Sequence, residues 1–265
     1  MFRRFAAVPV SLLFVLGVAT SCGHGSSILG ASGSSISLDQ EWQLGDQLAA
    51  QVDSQVQLNN DPRLNAYIRD VGERIHARTP ISDRPFTFKV INDPSVNAFS
   101  LPGGHVYINT GLIQQADKAD MLAGVMAHEI SHVVARYAIK QVEQQQEISA
   151  IGSILLGQNP TAVQSVIANI LAGGAMARFS REDEKEADDL GVGYMSAAGF
   201  DAHGMLEMFQ KLLSLEKSQP NAVSRFLSDH PTTQSRINDI QKRVQGTPPG
   251  IVDEPEYQAA RRAAM

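Results

Sequence analysis

The chain has 265 residues, of which 43% are hydrophobic and 19% are charged, and its formal net charge is −6. This length and apolar content are sufficient for one sizeable globular domain. The acidic balance argues against a nucleic-acid-binding protein, because such proteins present a basic surface to the phosphates.

The first residues have the features of an export signal. Arg3 and Arg4 precede an apolar stretch over residues 5–20, which is too short and too interrupted for a membrane span. The stretch leads to Cys22, and small residues directly before a cysteine resemble a bacterial lipoprotein cleavage site, although Ala19 stands where such sites prefer leucine. An ordinary secretory signal followed by an unrelated cysteine is the alternative interpretation.

Residues 1–21 are therefore predicted to be a signal peptide, and Cys22, the only cysteine of the chain, is predicted to carry a lipid anchor. Residues 22–37 are rich in Gly and Ser and predict a flexible tether. Gly23 follows the cysteine where an aspartate would suggest inner-membrane retention. Resemblance to other lipoproteins thus implies attachment to the outer membrane of a Gram-negative-type bacterium, facing the periplasm, with the membrane as a partner through the anchor.

Two helices are predicted next. Residues 38–58 place apolar side chains on one helical face. Asp61 and Pro62 supply an N-cap and a first-turn proline for a second helix. That helix ends near His76, where a positive charge would interact favourably with the helix dipole.

Short strands follow, and then more helices. Residues 85–93 alternate in a way that is typical of a strand, and residues 95–113 predict two short strands separated by Pro102-Gly103-Gly104. Residues 117–140 predict one long helix. Residues 148–177 are apolar but interrupted by a proline, and they predict two buried or groove-lining helices. The remaining residues predict helices over 180–199, 202–215 and 227–244, a loop over 218–224, and a turn-rich tail along the surface over 246–265.

The stretch MAHEISHVVARY, residues 126–137, carries the strongest chemical signal. His128 and His132 are four positions apart, so on a helix they lie on one face about one turn from each other. Two imidazoles at that separation can share one tetrahedral zinc ion. Glu129 would then be placed to take a proton from a zinc-bound water. A salt-bridged helix face is the alternative interpretation.

A catalytic zinc ion needs a third protein ligand. The sequence has no further histidine close to this stretch, so a carboxylate from elsewhere is expected. Glu184 and Asp188 are four positions apart, so one could bind the metal while the other holds a ligand histidine. Glu182 and Glu186 have the same spacing, and spacing alone does not choose between the pairs or exclude a solvated acidic face.

Four stretches resemble, in the family's order, the HtpX and CAAX-prenyl-protease group of zinc metallopeptidases, in its periplasmic BepA- and LoiP-like branch. They are NAFSLPGGHVYINTGLI (97–113), HEISH (128–132), SREDEKEADDLG (180–191) and HPTTQSRI (230–237). The resemblance implies an α+β, mainly helical gluzincin-type fold, with a small sheet beside the active-site helix and a peptidase domain over residues 38–245.

The resemblance also implies the ligand set. The family pattern Ser-Arg-x-x-Glu-x-x-Ala-Asp falls on residues 180–188. It selects Glu184 as the third ligand of one Zn²⁺ per chain, beside His128 and His132, with Asp188 as the partner behind the ligands. Glu129 is the implied general base.

The rim of the cleft is implied in the same way. Asn97, Ala98 and Phe99 resemble the edge strand of the family, and an extended peptide could pair along residues 97–101 through main-chain hydrogen bonds. An ordinary core strand is the alternative.

The late His-Pro motif of the family falls on His230. This side chain could stabilise the developing oxyanion, occupy the fourth zinc position at rest, or only cap a helix. Arg236 is a further candidate for substrate binding. It could also anchor this segment by pairing with an acidic side chain. Weaker oxyanion candidates are Tyr107, Tyr137 and Tyr194, and His105 and His203 are expected to be structural or solvated.

The implied function is a zinc-dependent endopeptidase that hydrolyses unfolded or misassembled envelope proteins. A latent or chaperone-like zinc-binding lipoprotein is the first alternative, and a structural lipoprotein with a chance motif is the second. The C-terminal repeat domain of BepA-like members is not expected, because about 20 residues follow residue 245.

Overall fold

The computed structural model describes residues 34–144 and 179–265, together with Thr161, Gln164 and Ala168. The predicted signal peptide and Cys22 lie outside the described residues. So do residues 22–33 of the predicted tether and, apart from those three positions, the predicted helices over 148–177. No helix in the described part of the chain is both long enough and apolar enough to cross a membrane.

The fold is mainly helical with one small sheet, as predicted. The elements are α1 (Leu38–Gln55), α2 (Pro62–His76), β1 (Thr87–Ile91), β2 (Ala98–Leu101), β3 (His105–Asn109), α3 (Thr110–Gln115), α4 (Ala119–Val134), α5 (Tyr137–Gln144), α6 (Arg181–Ala197), α7 (His203–Ser218), α8 (Pro220–Asp229), α9 (Gln234–Val244) and α10 (Pro255–Ala263).

Side-chain caps mark the beginning of several described helices, among them α1, α2 and α6. Ser37 and Gln40 form a capping box at α1, in which each side chain accepts a hydrogen bond from the other's backbone N–H. Asp61 caps α2, as predicted, by accepting from two backbone N–H groups of the first turn. Ser180 and Asp183 form a second capping box at α6.

The sheet has the strand order β1-β3-β2, with β1 parallel and β2 antiparallel to β3. β2 therefore pairs on one side only within the described sheet. A tight turn at Gly103 and Gly104, which both have positive φ, connects β2 to β3.

Helix α4 is buried along its whole length and packs against α6, α7, α2 and β2. The approach of α6 is close because Gly191 faces α4. A Cβ atom at this position would lie 3.2 Å from His128 N. A side chain at Gly191 would therefore press on the backbone of α4, which would have to yield by a few tenths of an ångström.

The predicted single helix over residues 117–140 is wrong, because the chain breaks between α4 and α5. Arg136 has a positive φ of 57° at the break, a conformation that is costly for a residue other than glycine. Its guanidinium donates to Glu41 Oε2 and to Ile36 O, each at 2.6 Å. These two contacts from the N-terminal segment hold the break in place.

The predicted loop over residues 218–224 is also wrong, since helix α8 begins at Pro220 and buries Val223 and Phe226. The predicted helix over 227–244 is divided into α8 and α9 by an extended segment that begins at His230.

Two further predictions need correction in their details. Residues 110–113 begin helix α3 instead of extending a strand. The C-terminal residues form helix α10, which packs on α2. Tyr257 of this helix is buried and donates a hydrogen bond to Ala116 O at 2.6 Å.

His76 is buried, stacks on Phe86 at a ring-centroid distance of 4.0 Å, and lies with Nε2 2.8 Å from Arg84 O. Burial lowers the pKa of the imidazole. His76 lies in the last turn of α2, as predicted, and its burial works against the positive charge that would interact with the helix dipole.

Asp120 at the start of α4 provides a test of stability against pH. The side chain is 1% exposed, and Oδ1 has no hydrogen-bond partner among the residues described. Burial raises its pKa from 3.8 to about 7, against the opposing charge of Lys118. A raised carboxyl pKa contributes stability at low pH that is lost as the pH rises through about 7. We expect Asp120→Asn to increase the free energy of unfolding at pH 8 by about 1–3 kcal/mol.

Urea unfolding at pH 5 and pH 8 measures this effect. The gain should be smaller at pH 5, where more of the folded population is already protonated. Asp70→Asn, at an exposed position on α2 where the carboxylate pairs with Arg74, is the control, and any change that it causes should be small and equal at both pH values. An equal effect of Asp120→Asn at both pH values would contradict the prediction.

Candidate metal centre

Four side chains from three separate parts of the chain meet at one buried point. His128 and His132 come from α4, Glu184 comes from α6, and His230 directly follows α8. All four are buried, and one potential ligand atom from each lies within 4.8 Å of all the others.

The spacing of these atoms fits a tetrahedral metal site. Metal–ligand distances of 2.0–2.1 Å require neighbouring ligand atoms to lie about 3.3 Å apart. His128 Nε2 and His132 Nε2 are 3.0 Å apart. Glu184 Oε1 lies 3.4 Å from His132 Nε2, and Glu184 Oε2 lies 3.6 Å from His128 Nε2. The donor set therefore fits a divalent metal ion.

His230 has the same spacing as the other three groups. Its Nδ1 lies 3.2 Å from His128 Nε2 and 3.0 Å from Glu184 Oε1. The imidazole thus stands at a fourth vertex of the cage.

A second layer of charges supports the cage from behind. Asp188 Oδ1 lies 3.0 Å from His128 Nδ1, and a carboxylate at this position fixes the tautomer and orientation of a ligand histidine. Arg236 donates to both carboxylate oxygens of Asp188 at 2.8 Å and also pairs with Glu184 Oε2. The buried guanidinium thus faces α6 from behind the cage.

The two acidic pairs of α6 differ in burial. Glu184 and Asp188 are buried on the face that packs on α4, whereas Glu182 and Glu186 are exposed. The structure therefore brings the first pair to the histidines and leaves the second pair in solvent.

The electrostatic field in the cage is negative. Burial alone would lower the pKa of His230, but the carboxylates of Glu184 and Glu129 outweigh burial and raise it to about 9. Burial would likewise raise the pKa of Glu184, yet His230 and His132 hold it well below its usual range. Carboxylates that attract a proton to an imidazole so strongly will also favour a divalent cation.

The pKa of His132 shifts in the opposite direction to that of His230. Burial, followed by the neighbouring His128, lowers its pKa to about 4. An imidazole must be neutral to donate its lone pair to a metal, and His132 meets this condition at neutral pH.

Glu129 is buried directly beside the cage. Its Oε1 lies 3.3 Å from His230 Nε2, and its Oε2 accepts a hydrogen bond from Ser100 Oγ at 3.1 Å. The glutamate thus lies between strand β2 and the cage.

The sequence reasoning missed one site residue, Phe179, and one contact, made by Ser100. Phe179 stacks on the ring of His132 at 4.1 Å and lines a cavity of about 500 Å³ together with Glu184 and Arg236. Ser100 belongs to the predicted pairing segment 97–101, but its hydrogen bond to Glu129 was not predicted. Phe179 directly precedes the matched stretch at 180–191, and Ser100 lies inside the matched stretch at 97–113. A larger cavity of about 610 Å³, between α2 and α10, touches no member of the cage.

The predicted rim residues lie on and beside strand β2. Asn97 is buried, and its carbonyl accepts a hydrogen bond from Asn109 N at 2.9 Å. Ala98 begins the strand, while Phe99 stacks on Tyr107 at 4.9 Å, on the face of the sheet that packs against α1.

Among the weaker candidates, only Tyr137 comes close to the cage, with its ring 5.5 Å from that of His132. Tyr107 instead donates to Asp53 Oδ1. His105 is buried beside Asp46 and Thr87, and the exposed His203 pairs with Asp201.

Comparison with known proteins places this geometry in context. The model of peptidase family M48 matches residues 62–244. The chain is 35% identical over 237 residues to the beta-barrel assembly-enhancing protease of Escherichia coli K12, covering 85% of this chain and 48% of that protein.

More distant relatives include the mitochondrial metalloendopeptidase OMA1 of Schizosaccharomyces pombe, with 33% identity over 66% of this chain and 52% of that protein. Another is the metalloprotease YcaL of Escherichia coli K12, with 26% identity over 62% of this chain and 64% of that protein. The chain spans about half the length of the beta-barrel assembly-enhancing proteases that it matches.

Proposed function

The chain belongs to peptidase family M48, and from this premise we propose that it is a zinc metalloendopeptidase acting on unfolded or misassembled proteins of the bacterial envelope. The family resemblance of the four sequence stretches is confirmed by this membership. The observation that carries the proposal is the buried cage of two imidazoles and a carboxylate with Glu129 directly beside it.

In this proposal His128, His132 and Glu184 hold the metal. Two imidazoles and one carboxylate are a common ligand set of catalytic zinc. A zinc ion bound there supplies Lewis acidity to the scissile carbonyl and acidifies the attacking water. Glu129 takes the proton of that water and later delivers it to the leaving amine.

One side of β2 pairs with no strand of the described sheet, and this edge supports an unfolded client. An edge strand offers main-chain donors and acceptors to any extended peptide, largely without regard to its side chains. Folded proteins rarely present such a segment. The relatives named beta-barrel assembly-enhancing proteases support misassembled envelope proteins as the client class.

Cleavage of β-casein by the purified full chain tests the proposal. We expect cleavage that 1,10-phenanthroline abolishes and added zinc restores, with about one zinc ion per chain by elemental analysis. A disulfide-bonded folded protein should remain uncut. Zinc binding without cleavage would instead support the latent or chaperone-like alternative, and cleavage by the metal-free chain would contradict a zinc mechanism.

The proposed location depends on Cys22. We expect residues 1–21 to be removed on export and Cys22 to be acylated, so that the chain fractionates with the outer membrane. Mass spectrometry of the mature N-terminus and labelling with a radioactive fatty acid measure this directly. Cys22→Ser should release the chain to the soluble periplasmic fraction, and an unchanged membrane fraction would contradict the anchor.

A blocking role for His230 at the fourth ligand position is supported by its Nδ1, which lies at ligand spacing from His128 and Glu184. The proposal assigns it a restraining role at rest. A competent state that is only partly populated lowers the apparent activity by that fraction. We expect His230→Ala to increase casein cleavage several-fold.

The same variant distinguishes the alternative role. If the imidazole stabilises the oxyanion, its removal should lower the cleavage rate by about 10²–10³-fold. His203→Ala, at an exposed histidine, is the matched control and should leave the rate unchanged.

A further inference from the structure

The hydroxyl of Ser100 connects the edge strand to the glutamate beside the cage. Ser100 Oγ donates to Glu129 Oε2 at 3.1 Å, although the two residues belong to different elements. Glu129 is fully buried, whereas Ser100 is only half-buried at the free side of the sheet.

The register of β2 explains how Ser100 can direct its main chain to the edge of the sheet while its side chain contacts Glu129. Asn97 O accepts from Asn109 N, and Phe99 lies opposite Tyr107. In an antiparallel pair these positions exchange hydrogen bonds with the neighbouring strand, and the positions between them direct their main-chain groups outward. The N–H and C=O of Ala98 and Ser100 therefore face the free side.

Side chains along a strand alternate between the two faces of the sheet. Phe99 packs toward α1, with Tyr107. Ser100 must then point to the opposite face, toward α4, where its hydroxyl reaches Glu129.

The two carboxylate oxygens of Glu129 have different surroundings. Oε2 accepts from Ser100. Oε1 faces His230 Nε2 at 3.3 Å but accepts no hydrogen bond within the described part of the chain. Ser100 thus holds Oε2, while Oε1 is the oxygen that faces the cage.

We propose that Ser100 is a positioning residue, which holds Oε2 of Glu129 so that Oε1 is presented for proton transfer. The inference rests on the proposed peptidase function and deepens it. Because the main chain of the same residue faces the substrate edge, pairing of a peptide with β2 also fixes the strand that holds the base.

The test compares Ser100→Ala with Ser100→Thr, using a fluorogenic peptide cleaved by the zinc-loaded full chain. A hydrogen bond to a charged group contributes enough to expect a fall in kcat of about 10-fold for Ser100→Ala. KM and zinc content should not change. Ser100→Thr keeps a hydroxyl and suits a strand, so it should restore most of the rate.

Ser95→Ala is the matched control. The Ser95 hydroxyl is also half-buried and accepts from Asn109 Nδ2 at 3.0 Å, but it does not touch Glu129. Its loss should leave kcat unchanged. The proposal is overturned if Ser100→Ala retains the full kcat, if it changes only KM, or if Ser100→Thr is as slow as Ser100→Ala.

A second measurement does not depend on activity. In a double-mutant cycle on urea unfolding of the metal-free chain, Ser100→Ala and Glu129→Ala should be non-additive, because each removes the same contact. Additive shifts of the unfolding midpoint would overturn the Ser100 inference. Non-additive shifts in a chain that cleaves no peptide would instead overturn the proposed function while leaving the contact intact.

Discussion

Replacing Glu129 with glutamine is expected to lower peptide cleavage by about 10²–10⁴-fold, the range that a positioned general acid–base group contributes. The amide has the size of the carboxylate but cannot accept the proton of the attacking water. The proposed ligands His128, His132 and Glu184 are untouched, so zinc content should remain at the parent value. Initial rates on β-casein and elemental analysis of the same sample measure both quantities.

Glu182→Gln is the appropriate control for this variant. It makes the same chemical change at an exposed position of α6, two residues from the proposed ligand Glu184. Its rate should equal that of the parent. A Glu129→Gln chain that retains more than a tenth of the parent rate would rule out this glutamate as the base.

The second large effect concerns the metal itself. Glu184→Gln should weaken zinc binding by about 100-fold or more. Removal of a residue that only orients a zinc ligand already lowers the metal affinity by about 10–100-fold, and loss of a ligand should have a larger effect. The neutral amide is a poor ligand, and it also removes the negative charge that faces His128 and His132. Competition against a chromogenic chelator of known affinity gives the zinc dissociation constant.

Glu186→Gln, on the exposed side of the same helix, controls for the loss of one acidic charge from α6. Its zinc affinity should match that of the parent, and the circular dichroism spectra of both variants should show intact helices. Parent-like affinity in Glu184→Gln would mean that His230, and not Glu184, completes the three-ligand set.

Arg236 explains how two carboxylates can be buried side by side. Glu184 and Asp188 would repel each other in a site from which water is excluded, and a buried charge without a partner is costly. The guanidinium pairs with both carboxylates. Burial alone would raise the pKa of Asp188, but His128 and Arg236 outweigh burial and keep this pKa below its usual value. This position behind the cage supports the anchoring role and leaves the side chain little surface for a peptide.

Local patterns in the sequence were sufficient for several elements. The spacing of His128 and His132 required a helix and a shared face, and Asp61 with Pro62 marked the start of α2 correctly. These signals act over about one helical turn, so they can be recognised without knowledge of the rest of the chain.

Other features depend on contacts that sequence spacing does not reveal. The two acidic pairs of α6 have the same period, and the packing of α6 on α4, which is close at Gly191, brings Glu184 to the histidines. Spacing left that choice open, and the family pattern selected the same residue.

The helix break and the helix that the sequence did not predict also depend on contacts between distant residues. The break at Arg136 is held by Glu41, 95 positions earlier in the sequence, and α10 is fixed in part by Tyr257, which bonds to Ala116 across 141 positions. Ser100 and Glu129 likewise meet across 29 positions. The sequence by itself determined which side chains share a helical face and where several helices begin. The tertiary structure decided which faces meet, because burial and long-range hydrogen bonds depend on partners that local periodicity does not specify.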